Sequence, residues 1–193
     1  MERGGALMNR RRIRLRHCTA RLHDAVDAAI EAADLLTTQT GYCRYVAATS
    51  LARRSIENRL TLSGASGLYP TWLDRRIAHL VEDDLADLTA SAPIEHVAPD
   101  LAPMSAAAML GALYVLEGSA MGARIIARRV SALGMGPEFG ARHLAHQAAD
   151  PRAWLRFLEL LESFPLSDEE DNACARAAVA TFECFKSHYE LVA

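Results

Sequence analysis

Apolar residues recur along this chain at helical spacing, and the β-branched runs that would seed a sheet are missing. That pattern leaves a packed set of helices as the available architecture. Abundant alanine and leucine reinforce it, because both favour helix. With 193 residues, 51% hydrophobic and 23% charged, the chain can close one core without disulfides or a structural metal. Intrinsic disorder, collagen and a disulfide scaffold are excluded. The predicted fold class is a single all-α bundle.

The spacing predicts a first helix from Leu15 to Leu36 and a second from Gly41 to Leu62. Gly64, Gly67 and Pro70 read as a loop, and Thr71 to Thr89 as a third helix carrying Leu73, Ile77, Leu80, Val81, Leu85 and Leu88. Residues 90–103 hold three prolines and read as a loop. The long fourth helix runs from an N-cap at Ser105 to a stop at Gly134. Shorter helices follow at Pro137–His146 and Pro151–Ser163, and the Ser167–Glu170 capping box opens a last one reaching Leu191.

Charge is uneven. The net charge is −3, yet residues 1–16 hold six arginines against Glu2. Residues 1–12 are therefore expected to be a basic, unstructured extension, with residues 13–193 forming the all-α domain. The acidic remainder argues against a general nucleic-acid binder. No apolar run reaches ~18 residues, so no membrane span is expected, and the N-terminus lacks a secretory pattern. Cys18, Cys43, Cys174 and Cys184 lack the short spacing of zinc or redox motifs and are expected to be reduced and mostly buried, as in a cytoplasmic protein. A monomer is the default expectation.

No phosphate loop, nucleophile elbow or zinc-protease motif is present. His143-x-x-His146 lacks a third ligand and reads as a surface turn rather than a metal site. Gly111, Gly118 and Gly122 carry more information. At ~100° per residue they share one face of the fourth helix, with Arg129 beside them. Each interior glycine costs up to ~1 kcal/mol relative to alanine. Two explanations stay open: close packing of another helix, the commoner one, or a flat ligand lying on bare backbone. On the first helix, His23 lies among Thr19, Leu22, Val26 and Ile30, with Arg16 on nearly the same side. A lone histidine there is usually a core or boundary residue. The other reading is a neutral imidazole on a metal.

The segment Leu113-Tyr114-Val115-Leu116-Glu117-Gly118-Ser119-Ala120-Met121-Gly122 resembles the distal-helix motif of bacterial biliverdin-producing heme oxygenases. Thr19-Ala20-Arg21-Leu22-His23 resembles the family's proximal-histidine segment. Phe139 to Leu144, Trp154 and Ala177 to Phe182 are also similar to family segments, so the resemblance spans residues 13–190. It implies heme held between the first helix and a kinked fourth helix. His23 would be the iron ligand, with Thr19 in its segment. Gly118 and Gly122 would be the distal glycines. Arg16 and Arg129 would meet the propionates, and Phe182 would line the pocket. Three positions depart from the family pattern. Ser119 stands where animal members have aspartate, Ala123 replaces a frequent third glycine, and Glu31 replaces a lysine of some bacterial relatives.

The implied function is heme oxygenase: cleavage of heme at a meso carbon to biliverdin, CO and ferrous iron, using O2 and external electrons. The facing helix offers only glycine, serine, alanine and methionine, so no distal histidine is expected. Gly118, Ser119 and Gly122 would form the catalytic surface, with Ser119 holding ordered water. No flavin or nicotinamide motif is visible, so the electrons come from a ferredoxin, a flavodoxin or a reductase acting on one of them. The alternatives are a non-catalytic heme carrier, store or sensor on the same fold, and a helical interaction protein whose glycine face packs a partner.

Overall fold

A computed structural model describes residues 9–88 and 102–192 of the chain. Nine helical segments follow in order among the described residues: α1 (Arg10–Ala32), α2 (Gln39–Leu62), α3 (Ala65–Leu68), α4 (Trp72–Arg75), α5 (Ala78–Asp87), α6 (Ala106–Ser131), α7 (Arg142–Ala149), α8 (Ala153–Ser163) and α9 (Asp168–Leu191). Among the same residues there is no strand, only isolated bridges from Gly136 to Phe139 and Gly140. The expected all-α domain is what forms. Thr89 and most of the loop expected at 90–103 lie outside the described residues.

The caps fall where the sequence places them. Ser105 accepts the Ala108 N–H, and Ser167 and Glu170 form the reciprocal capping box of α9. Other boundaries move for physical reasons. α1 begins at Arg10, inside the stretch expected as an extension, because Arg11 is tied down. Its Nε donates to Asp171 at 2.6 Å, and its Nη1 to the Leu161 and Phe164 carbonyls. The Arg12 N–H donates to Glu162 at 2.7 Å. α1 ends at Ala32 rather than Leu36, where Asp34 turns left-handed at φ 52°, a conformation Asp tolerates. Leu35 and Leu36 are still buried, which explains their apolar register.

The expected third helix splits into α4 and α5. Buried Glu57 accepts the N–H groups of Ile77 and Ala78 at 3.1 Å, which holds the chain open between the two segments. Likewise α7 starts at Arg142 rather than Pro137. Asp87 takes the Gly140 N–H at 2.9 Å, and Asp84 takes those of Arg142 and His143 at 2.9 and 3.0 Å.

α6 and α1 both pack on α9, and α7 and α8 close against α6. α2 lies against α5 and α9. By length and composition α6 is apolar enough to cross a membrane, a test that core helices also pass, and 56% of its apolar window is buried in the bundle.

Candidate functional site

A cavity of about 560 Å³ lies between α1 and α6, within the range of small-molecule and cofactor sites. His23, Thr19, Arg16, Gly118, Ser119, Gly122 and Phe182 all line it, so the structure brings together the residues chosen from α1, α6 and α9. Arg129 stands apart. It is ion-paired with Glu31, whose carboxyl its guanidinium holds below the usual range. Arg12, assigned from sequence to a free extension, is at the cavity instead.

The floor is an imidazole. His23 is exposed, with its Nδ1 3.2 Å from an Asp27 carboxylate oxygen and its ring 5.9 Å from that of Phe182. A carboxylate at Nδ1 fixes the ring and leaves Nε2 to ligate. Thr19 turns inward and donates to the Leu15 carbonyl at 2.8 Å.

The roof is main chain. A Cβ built on Gly122 would meet nothing within 4 Å, and one on Gly118 only the Trp154 ring at 3.7 Å. Gly111 differs: its Cβ would run into the Cys174 carbonyl of α9. The packing explanation therefore holds at Gly111, and the flat-ligand explanation stays open at Gly118 and Gly122. Gly111 permits helix packing, Gly122 leaves backbone facing open space, and Gly118 has the Trp154 ring at contact distance.

Beside the roof, Ser119 is saturated. Its hydroxyl donates to the Leu116 carbonyl at 2.7 Å and accepts from Arg53 Nη2 at 2.7 Å and Gln147 Nε2 at 2.9 Å. Arg53 and Gln147 were missed from sequence. Arg53 resembles its neighbour Arg54, which is exposed, while Arg53 is 3% exposed under Phe185.

His143 is fully buried in α7, so its segment is not a surface turn. Its Nδ1 lies 2.6 Å from Asp84, whereas His146 Nε2 donates to the Asp74 carbonyl at 2.7 Å. The two rings serve different anchors. All four cysteines are free of disulfides, but only Cys174 is buried; Cys18 is exposed, contrary to the expected burial.

The described residues thus form an all-helical bundle with a cofactor-sized cavity that has an imidazole on α1 and glycine backbone on α6 in its lining. The chain matches the heme oxygenase family over residues 11–190. It is 29% identical over 178 residues to heme oxygenase PigA of Pseudomonas aeruginosa, covering 92% of this chain and 90% of that one. It is 33% identical over 119 residues to a heme oxygenase of Xanthomonas campestris pv. campestris, covering 61% of this chain and 67% of that one. Its fold matches the crystal structures of the NO- and CO-bound heme oxygenase from Neisseria meningitidis with a TM-score of 0.82 at 22% identity, covering 93% and 89% of the two chains. The chain belongs to the heme oxygenase family.

Proposed function

We propose that this heme-degrading oxidoreductase works in the α1–α6 cavity, with His23 as the iron ligand. The observation that carries this reading is the glycine backbone of α6: Gly122 leaves open space and Gly118 meets only the Trp154 ring, in a cavity that His23 also lines. The cavity residues fit heme on that ground. When bound, heme supplies the iron at which O2 is activated and is itself the molecule oxidised, giving biliverdin, CO and ferrous iron.

The chain's own groups hold and shield. Asp27 orients the His23 ring through Nδ1. Gly118 and Gly122 let the α6 main chain approach the ligand plane, so the substrate edge is held where it is oxidised. Ser119 spends its one hydrogen on Leu116, so it acts by fixing Arg53 and Gln147 rather than by donating into the cavity. Phe182 packs beside the imidazole. Arg12 and Arg16 are the cations at the cavity for the propionates, because Arg129 is engaged by Glu31.

Electrons come from an external ferredoxin, flavodoxin or reductase-type protein, and the enzyme acts as a monomer in the cytoplasm. The test is turnover. The heme complex is given an acidic ferredoxin-type donor and its reductase in air, at rising ionic strength. Loss of the Soret band with growth of bilin absorption, slowing as salt rises, is expected. A Soret band that persists would mean a carrier or sensor, and a salt-independent rate would contradict docking of the acidic donor beside Arg12 and Arg16 at the cavity.

A further inference from the structure

Arg53, on α2, carries a charge that the roles above do not use. It lines the cavity and is 3% exposed. Its ion partner Glu57 is 3.6 Å away, beyond hydrogen-bond reach. Glu57 is shared besides with the N–H groups of Ile77 and Ala78 and with Arg76 at 3.8 Å. The other buried carboxylate nearby, Glu117, is held by Arg75 through three contacts of 3.0 to 3.2 Å. Three guanidinium groups thus share two carboxylates. Of the three, Arg53 is the one that opens on the cavity. A buried charge without a full partner is costly, and such a charge in a cleft marks function.

We propose that Arg53 is an anion-receiving group that favours a small anion, over a neutral ligand of similar size, between the α6 roof and the heme. This rests on the heme reading of the cavity. The arrangement is pre-formed. Ser119 holds Nη2 and is itself fixed by Leu116 and Gln147. The Phe185 ring lies 5.8 Å from the guanidinium carbon and fixes its plane. Among the described residues, no acceptor hydrogen-bonds the Nε of Arg53, and its Nη1 has only Glu57 at 3.6 Å, longer than a hydrogen bond. Fixed donors and charge in a cavity of low dielectric act without reorganising.

The experiment titrates the ferric heme complexes of wild type, Arg53→Lys, Arg53→Gln and Glu57→Gln with azide, and with imidazole as the neutral control. Circular dichroism and heme uptake check that each variant is folded. Arg53→Gln should lose azide affinity about tenfold or more while imidazole binding holds, and Arg53→Lys should stay near wild type. Glu57→Gln, which removes the counter-charge, should tighten azide binding, and it tests the idea even if Arg53→Gln does not fold. Unchanged azide affinity in Arg53→Gln and Glu57→Gln would overturn the proposal. So would azide and imidazole weakening together in both Arg53 variants, which would mark a purely structural role. Wild type that takes up heme but shows no such pattern refutes only this inference, whereas wild type that takes up no heme refutes the reading of the cavity as well.

Discussion

Gly111, Gly118 and Gly122 share a face of α6 but not a neighbour, so alanine at each position has a different consequence. In Gly111→Ala the new methyl would press on backbone of α9, with the Ala178 nitrogen at 3.0 Å and the Cys174 carbonyl closer still. Backbone yields poorly, so a loss of about 1–3 kcal/mol is expected. In Gly122→Ala the methyl meets nothing within 4 Å, and the helix gains up to ~1 kcal/mol from propensity. Urea midpoints should therefore move in opposite directions, while hemin affinity should fall only in Gly122→Ala. Equal shifts in both would break the distinction. The sequence shows the shared face, because spacing alone sets it. It does not show what the face meets, because that depends on α9, more than 50 residues further on. His23 is picked out by the resemblance of its segment to the family's, since an imidazole among apolar residues is by itself usually a core or boundary residue, whereas Arg53 beside Arg54 looks like one more solvated cation.

At the scale of elements, α5 and α7 are clasped through Asp84 and His143. Burial lowers the affinity of His143 for a proton, outweighing the pull of Asp84. Burial alone would raise the Asp84 carboxyl, but hydrogen bonds from His143 and Arg142 hold it below its ordinary 3.8. As pH falls below 6.5, the ordinary histidine value, the unfolded chain takes up a proton that the native His143 refuses. Stability should therefore decline through that window, before the carboxylate of Asp84 titrates at much lower pH. Denaturant melts on either side of pH 6.5 should show the decline in wild type and a flatter profile in His143→Gln. A wild-type profile as flat as the variant's would contradict the clasp. The same carboxylates explain which boundaries the sequence hides. Caps such as Ser105 and Ser167 act within one turn and are readable. The breaks before α5 and α7 are set by Glu57 and Asp84, which reach backbone N–H groups at least 20 residues away.

For the whole molecule, α9 is the shared support on which α1 and α6 rest, and the space between those two is the cavity. Helix order can be read from the spacing of apolar residues, whereas His23, Gly118 and Gly122 stand out through the resemblance of their segments to the family's, and all three line the cavity. The mouth can be read in neither way. Arg12 reaches it because Arg11 anchors α1 to the α8–α9 corner, and Arg129 leaves it because Glu31 captures it. The central claim concerns the floor, and the direct measurement is an anaerobic hemin titration of wild type and His23→Ala. Wild type should take up one equivalent with a sharp Soret band. The variant should bind more weakly with a shifted band, and added imidazole should restore the wild-type spectrum. Identical spectra and affinities in the two proteins would contradict the account.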